Sequence, residues 1–151
     1  MIITEKMVKK ALELAGPSID NVLSDPKMTL GSKFLAIIVS VPGLALIRLR
    51  HGCHKHKGRN MREYEHIAQK KLDVVLREQA STSEIIATRP WSLLDREYLY
   101  AGGAIRHGIA VATSGAKGWV DEAISEIIIS MIVMLAQLEI EDRLERKQKQ
   151  I

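Results

Sequence analysis

Apolar side chains first recur at helical spacing in Met7, Val8, Ala11, Leu12 and Ala15, behind a Thr4 suited to capping a helix. Gly16-Pro17 supplies a stop, and Pro17 then opens a short second helix carrying Ile19, Val22 and Leu23, which Asp25-Pro26 ends. From Phe34 to Ile47 the chain is apolar except for Ser40. The β-branched residues Ile37, Ile38, Val39 and Val41 suit a strand as well as a helix, and periodicity does not separate the two. With no second strand-like run to pair with it, the expectation is a helix, kinked at Pro42-Gly43 and resumed over Leu44 to Arg50.

Gly52 and Gly58 bracket a loop, after which Asn60 with Glu63 forms a capping-box start. Tyr64, Ala68, Leu72, Val75 and Leu76 make the buried face of that helix, which ends near Ala80. Ser81 to Glu84 begins a short turn or helix ended by Arg89-Pro90-Trp91. Ser92 with Asp95 starts another, with Leu94, Tyr98, Ala101, Ile105, Ile109 and Ala112 facing inward. Along it, Ala104, Gly108 and Ala112 leave a line of small residues that a second helix can approach closely, which accounts for Gly102, Gly103 and Gly108. After a loop over Ser114 to Gly118, the last helix runs from Trp119 to about Lys147 and is apolar on almost every face through Ile127 to Leu135. It is either the central helix or a sealed subunit interface. The residues from Glu139 to Gln150 form a charged extension, about 139–151.

The expected fold is therefore all-α: one domain over 1–151, a compact bundle of five to seven helices around the apolar C-terminal helix. So much aliphatic surface on so few residues also implies a homo-oligomer.

Composition narrows the functional classes. At 151 residues and 46% hydrophobic the chain is long enough to bury a core without staples. Aromatics are only 4%, so the core is aliphatic and base-stacking platforms have little material. A lone Cys53 forms no internal disulfide, and the Met1-Ile2-Ile3-Thr4-Glu5 start lacks the pattern of a signal peptide, so the expected location is cytoplasmic. The two apolar runs, Phe34 to Ile47 and Ile127 to Leu138, fall short of the ~18 to 20 residues that a spanning helix needs.

Charge is unevenly placed. Between Asp25 and Glu63 there is no carboxylate, while Lys27, Lys33, Arg48, Arg50, Lys55, Lys57, Arg59 and Arg62 all fall there. The rest of the chain holds 14 basic and 18 acidic residues, so a total of +4 divides into +8 and −4. Arg48, Arg50, Lys55, Lys57, Arg59 and Arg62 are the candidate anion-binding set, suited to phosphates of nucleic acid, a nucleotide or an acidic lipid headgroup. The bland alternative is a solvated loop neutralised by acidic surface, including that of a neighbouring copy.

Within the same segment His51, Cys53, His54 and His56 offer imidazole and thiolate donors for a metal. Their spacing is poor and the surrounding cations oppose a dication. Glu63 and His66 make half of a di-iron carboxylate motif, with no second half in the chain. Arg59 and His66, with six residues between them, resemble the Arg-x(4–6)-His pair of HEPN-type helical ribonucleases. The resemblance stops at those two residues, and no activity is carried over from it. The Phe34 to Ile47 run followed by Arg48 also fits a segment dipping into a bilayer, a membrane-associated alternative. Phosphate-loop, dinucleotide and zinc-protease motifs are absent. The functional expectation is a non-enzymatic binding protein without a cofactor, engaging a polyanion through its basic segment; the competing one is a structural homo-oligomer or protein-interaction module.

Overall fold

Phe34–Ser40 is a central strand, β1, and not a helix. Its neighbour β2 (Ile47–Gly52) pairs with it antiparallel from Phe34↔Gly52 to Val39↔Ile47. The computed structural model describes residues 2–29, 31, 33–52, 61–95, 97 and 100–149. Among them the elements run α1 (Glu5–Leu23), β1, β2, α2 (Met61–Glu78), α3 (Thr82–Thr88), a 3-10 turn (Pro90–Ser92), β3 (Gly103–Arg106), β4 (Ile109–Ser114) and α4 (Gly118–Lys149). The four strands form one antiparallel sheet in the order β2-β1-β4-β3. The expected all-α bundle is thus overturned: the protein is mixed α/β.

Each misread stretch has a local cause. Six of the seven β1 residues are buried because helices cover both faces of the strand, so its sequence is a continuous apolar run with no alternation. Pro42-Gly43 closes the β1–β2 connection through a bond from Leu44 N–H to the Val41 carbonyl, where a kinked helix was expected. The strand partner was present as Ile47-Arg48-Leu49-Arg50, a period-two alternation. In β4 the alternation Ile109-Ala110-Val111-Ala112-Thr113 distributes large side chains to one face and alanines to the other. His107 and Gly108, with φ of 54° and 77°, form the two-residue turn between β3 and β4, which needs positive φ at both positions. The small residues read as a helix-packing stripe belong to this hairpin.

The two faces of the sheet are covered differently. Leu35, Ile37, Val39, Ile109 and Val111 pack against Val8, Ala15 and Ile19 of α1 and Ile124, Ile128 and Ile132 of α4. On the opposite face Ala36, Ala110 and Ala112 let α2 come close with Tyr64, Ala68, Leu72 and Val75, the face expected for it. Phe34 meets Tyr64 edge-on at 5.1 Å between ring centres. The run Phe34 to Val39 is therefore core.

Thr4 caps α1 as expected, its Oγ1 accepting from Met7 N–H at 3.2 Å. The helix passes through Pro17 without stopping. Pro17 and Glu13 both lie on the exposed side, so the carbonyl that proline leaves unpaired faces water. The final helix runs to Lys149, and its charged tail is a solvated helical continuation with Arg143–Glu139 and Arg146–Asp142 pairs one turn apart. By length and composition α4 is long and apolar enough to cross a membrane, and a third of its most apolar window is buried against the sheet.

Candidate functional site

The most constrained polar groups lie at the β3 edge, where the sheet ladder ends. Thr113 N–H donates to the Gly102 carbonyl at 3.0 Å, and a regular antiparallel pair would return a bond from Gly102 N–H to the Thr113 carbonyl. Instead Gly102 N–H turns to Thr82 Oγ1 at 2.8 Å. Lys71 Nζ from α2 takes the vacated place, 3.0 Å from the Thr113 carbonyl. It also pairs with Asp121 Oδ2 of α4 at 3.1 Å, both side chains at least 96% buried. Gly102 permits this because any Cβ there, at φ +150°, would fall 2.4 Å from Lys71 Nζ.

A second layer locks the same place. Thr82 Oγ1 also accepts from Gly103 N–H at 3.1 Å, and donates to Glu122 Oε1, 2.8 Å away. Glu122 further accepts from the Ser83 N–H at 2.8 Å and from the Ser83 hydroxyl. An acid from α4 therefore caps α3, whose own N-cap residue, Ser81, makes no side-chain bond. Ser125 Oγ donates to the Gly102 carbonyl at 2.7 Å and lies 2.9 Å from Thr113 Oγ1. No buried side-chain polar atom among the described residues lacks a partner. Burial pushes the Asp121 carboxyl up to about 6, against the pull of Lys71 and of the Ala116 N–H.

Above this knot α3, the segment before β3 and the first turn of α4 enclose a cleft of about 240 Å³, lined by Ser83, Ile86, Ala87, Tyr100, Ala101, Gly118 and Trp119. Trp119 is 73% exposed and Tyr100 58%. Sequence reasoning missed both the knot and the cleft. The signal for Lys71 was its place between Ala68, Leu72 and Val75 on an otherwise apolar helix face; Asp121 and Ser125 likewise sit one turn before Ser125 and Ile129 on α4's inner side.

Of the predicted basic residues, Arg48, Arg50 and Arg62 are described and lie at the other edge. In β2, Arg48 and Arg50 stand opposite Ile38 and Ala36 and so share the α2 face. Arg48 Nη2 donates to Gln69 Oε1 at 2.7 Å, and Arg50 pairs with Glu65 at 2.7 Å. Arg62 is exposed in the first turn of α2. Lys55, Lys57 and Arg59 lie outside the described residues. The pairing Phe34↔Gly52 and the Phe34–Tyr64 contact bring the start of β1, the end of β2 and the start of α2 to one end of the sheet. Lys33, Arg50 and Arg62 are gathered there. The loop preceding β1 joins them, held by a Thr29↔Ala116 bridge and a bond from Lys117 N–H to the Met28 carbonyl.

Of the proposed metal set only His51 lies among the described residues. His51 points to the α1 face and bonds Asp20 at 2.7 Å, while Cys53, His54 and His56 lie outside the described residues. Among the described residues no cluster of His, Cys, Asp and Glu is placed to hold a metal. Glu63 and His66 are exposed at the start of α2, and Arg59 of the ribonuclease-like pair is outside the described residues.

No family model matches the sequence, and no curated protein does. The fold is similar to that of the Klebsiella pneumoniae protein ORFY, whose crystal structure carries the family label DUF336. The likeness covers 88% of this chain and 92% of that one with a TM-score of 0.60, at 14% sequence identity, and so establishes a shared fold alone.

Proposed function

We propose that the protein is a non-enzymatic binding protein that engages phosphate-bearing polyanions at the β2 edge. The observation that carries this reading is the gathering of Lys33, Arg50 and Arg62 at one end of the sheet, next to Arg48; in the sequence Lys55, Lys57 and Arg59 fall between Gly52 and Met61. The Arg48 and Arg50 pairings support it rather than cancel it. A guanidinium has five N–H groups, so Gln69 and Glu65 orient each fork and leave donors for an incoming oxyanion. Three carboxylates, Asp20, Glu63 and Glu65, stand nearby and are outnumbered by Lys33, Arg48, Arg50 and Arg62.

The test is binding measured across salt. A labelled single-stranded oligonucleotide, a nucleoside triphosphate and vesicles with anionic headgroups form three arms that distinguish the source of the phosphate. Affinity in at least one arm should fall steeply with salt, and combined Arg48→Ala, Arg50→Ala and Arg62→Ala should lower the log–log slope by roughly two to three. Unchanged binding by the triple variant, or none by the wild type in any arm, overturns the reading.

A second reading, a structural homo-oligomer, is supported by α4. Its inner face packs on the sheet, but Met134 and Leu138 are exposed on the outer one beside the partly exposed Ile127 and Met131. Light scattering of a gel-filtered sample should return more than one chain mass, and Met134→Lys with Leu138→Lys should return one. A monomeric wild type at micromolar concentration removes this reading.

A further inference from the structure

We propose that the cleft between α3, Tyr100-Ala101 and the head of α4 binds a small planar heteroaromatic molecule that presents an N–H or O–H to Ser83. This site is distinct from the cationic edge and does not depend on it. Three observations converge. The first is rigidity: all three walls are pinned from below, since Thr82 and Ser83 of α3 bond Glu122 of α4, and Thr82 Oγ1 receives the N–H groups of Gly102 and Gly103 just after Ala101. A pinned cavity loses little freedom when a ligand enters.

The second is the placement of aromatic surface. The chain has only six aromatic residues, and the core uses Phe34 and Tyr64. Trp119 and Tyr100 instead stand out from the cleft walls, opposite Ile86 and Ala87. An exposed tryptophan beside an enclosed apolar wall offers a face on which a flat ring stacks. At about 240 Å³ the cleft lies below the usual range for drug-sized ligands, so it suits one ring or two fused rings.

The third is the direction of hydrogen bonding. Ser83 lines the cleft and its hydroxyl proton is committed to Glu122, so what that hydroxyl can offer a ligand is a lone pair. A ligand must therefore bring a donor to meet it. Among the described residues no cationic side chain lines the cleft, which sets its ligand apart from the polyanions of the opposite edge.

The experiment uses the full chain labelled with ¹⁵N and two probes, benzimidazole and N-methylbenzimidazole. Benzimidazole should give saturable shifts confined to 83–87, 100–101 and 118–120. N-methylation should weaken binding about tenfold, as should Trp119→Ala, a change at an exposed side chain that leaves the core intact. Ser83→Ala should weaken benzimidazole but not its methyl derivative. Absence of saturable shifts up to the solubility limit, equal binding of both probes, or unchanged binding by Trp119→Ala overturns the site. Shifts at the same residues on simple dilution of the free protein would place a second copy in the cleft and also overturn it.

Discussion

At the β2 edge Arg48, Arg50 and His51 meet Gln69, Glu65 and Asp20 in the open, whereas at the β3 edge Lys71 and Asp121 meet in the interior. The distances are similar but the surroundings are not. Exposed pairs gain little over solvated ions, typically ~0 to 1 kcal/mol. A buried pair depends on its remaining donors and acceptors being met; here the Thr113 carbonyl accepts from Lys71 and the Ala116 N–H donates to Asp121, although for Asp121 burial still outweighs these contacts. The first edge can therefore exchange its partners for a ligand, while the second is committed to holding α2, β4 and α4 in one arrangement.

Breaking the buried side should cost most. Lys71→Met or Asp121→Asn alone leaves one polar group stranded, and each should lower unfolding free energy by about 3 to 5 kcal/mol in urea titrations. Joint replacement of both by apolar residues should cost less than the two single changes added together. Thr82→Val comes next: it strands the N–H groups of Gly102 and Gly103, with an expected loss of roughly 2 to 4 kcal/mol.

The same contrast separates what the sequence made legible from what it did not. The apolar faces of α2 and of both halves of α1 are readable because neighbours on such a face lie three and four residues away in the chain, though Pro17 reads in the sequence as a break between two helices. β1 was not, since two covered faces erase alternation, and β4 was not, because a repeat of small residues at every fourth place also satisfies a period of two. The basic run is visible because its members are contiguous. The knot drew Lys71, Thr82, Gly102, Thr113, Asp121, Glu122 and Ser125 from five separate elements or loops, and only the sheet brings them together.

Acidity sharpens the comparison further. The Asp121 carboxyl, raised to about 6 by burial, holds its proton more tightly in the folded chain than in the unfolded one. Its contribution is fully present below the unfolded value and is lost as pH rises through about 6, so stability should fall between pH 5 and pH 7 by roughly 1 kcal/mol. Asp121→Asn should flatten that slope. Glu97 acts in the opposite sense: the bond from Arg77 holds its carboxyl below the ordinary value, so its contribution disappears only under more acidic conditions. A stability that rises from pH 5 to pH 7 would contradict the account of Asp121.

The smallest stability effect belongs to the open edge. Arg50→Ala should change unfolding free energy by less than about 1 kcal/mol, because Glu65 is left in contact with water. If it costs as much as Lys71→Met, the two edges are not different in kind.

The division of labour between the edges is tested most directly by following backbone amide shifts as a single-stranded oligonucleotide, a nucleoside triphosphate and anionic vesicles are each added at low salt, then raising the salt. The expected result is movement at Arg48 to Gly52 and at Arg62 to Glu65 that reverses with salt, with 82–87 and 100–122 unmoved. Shifts centred on the β3 edge, or none at either edge, would contradict it.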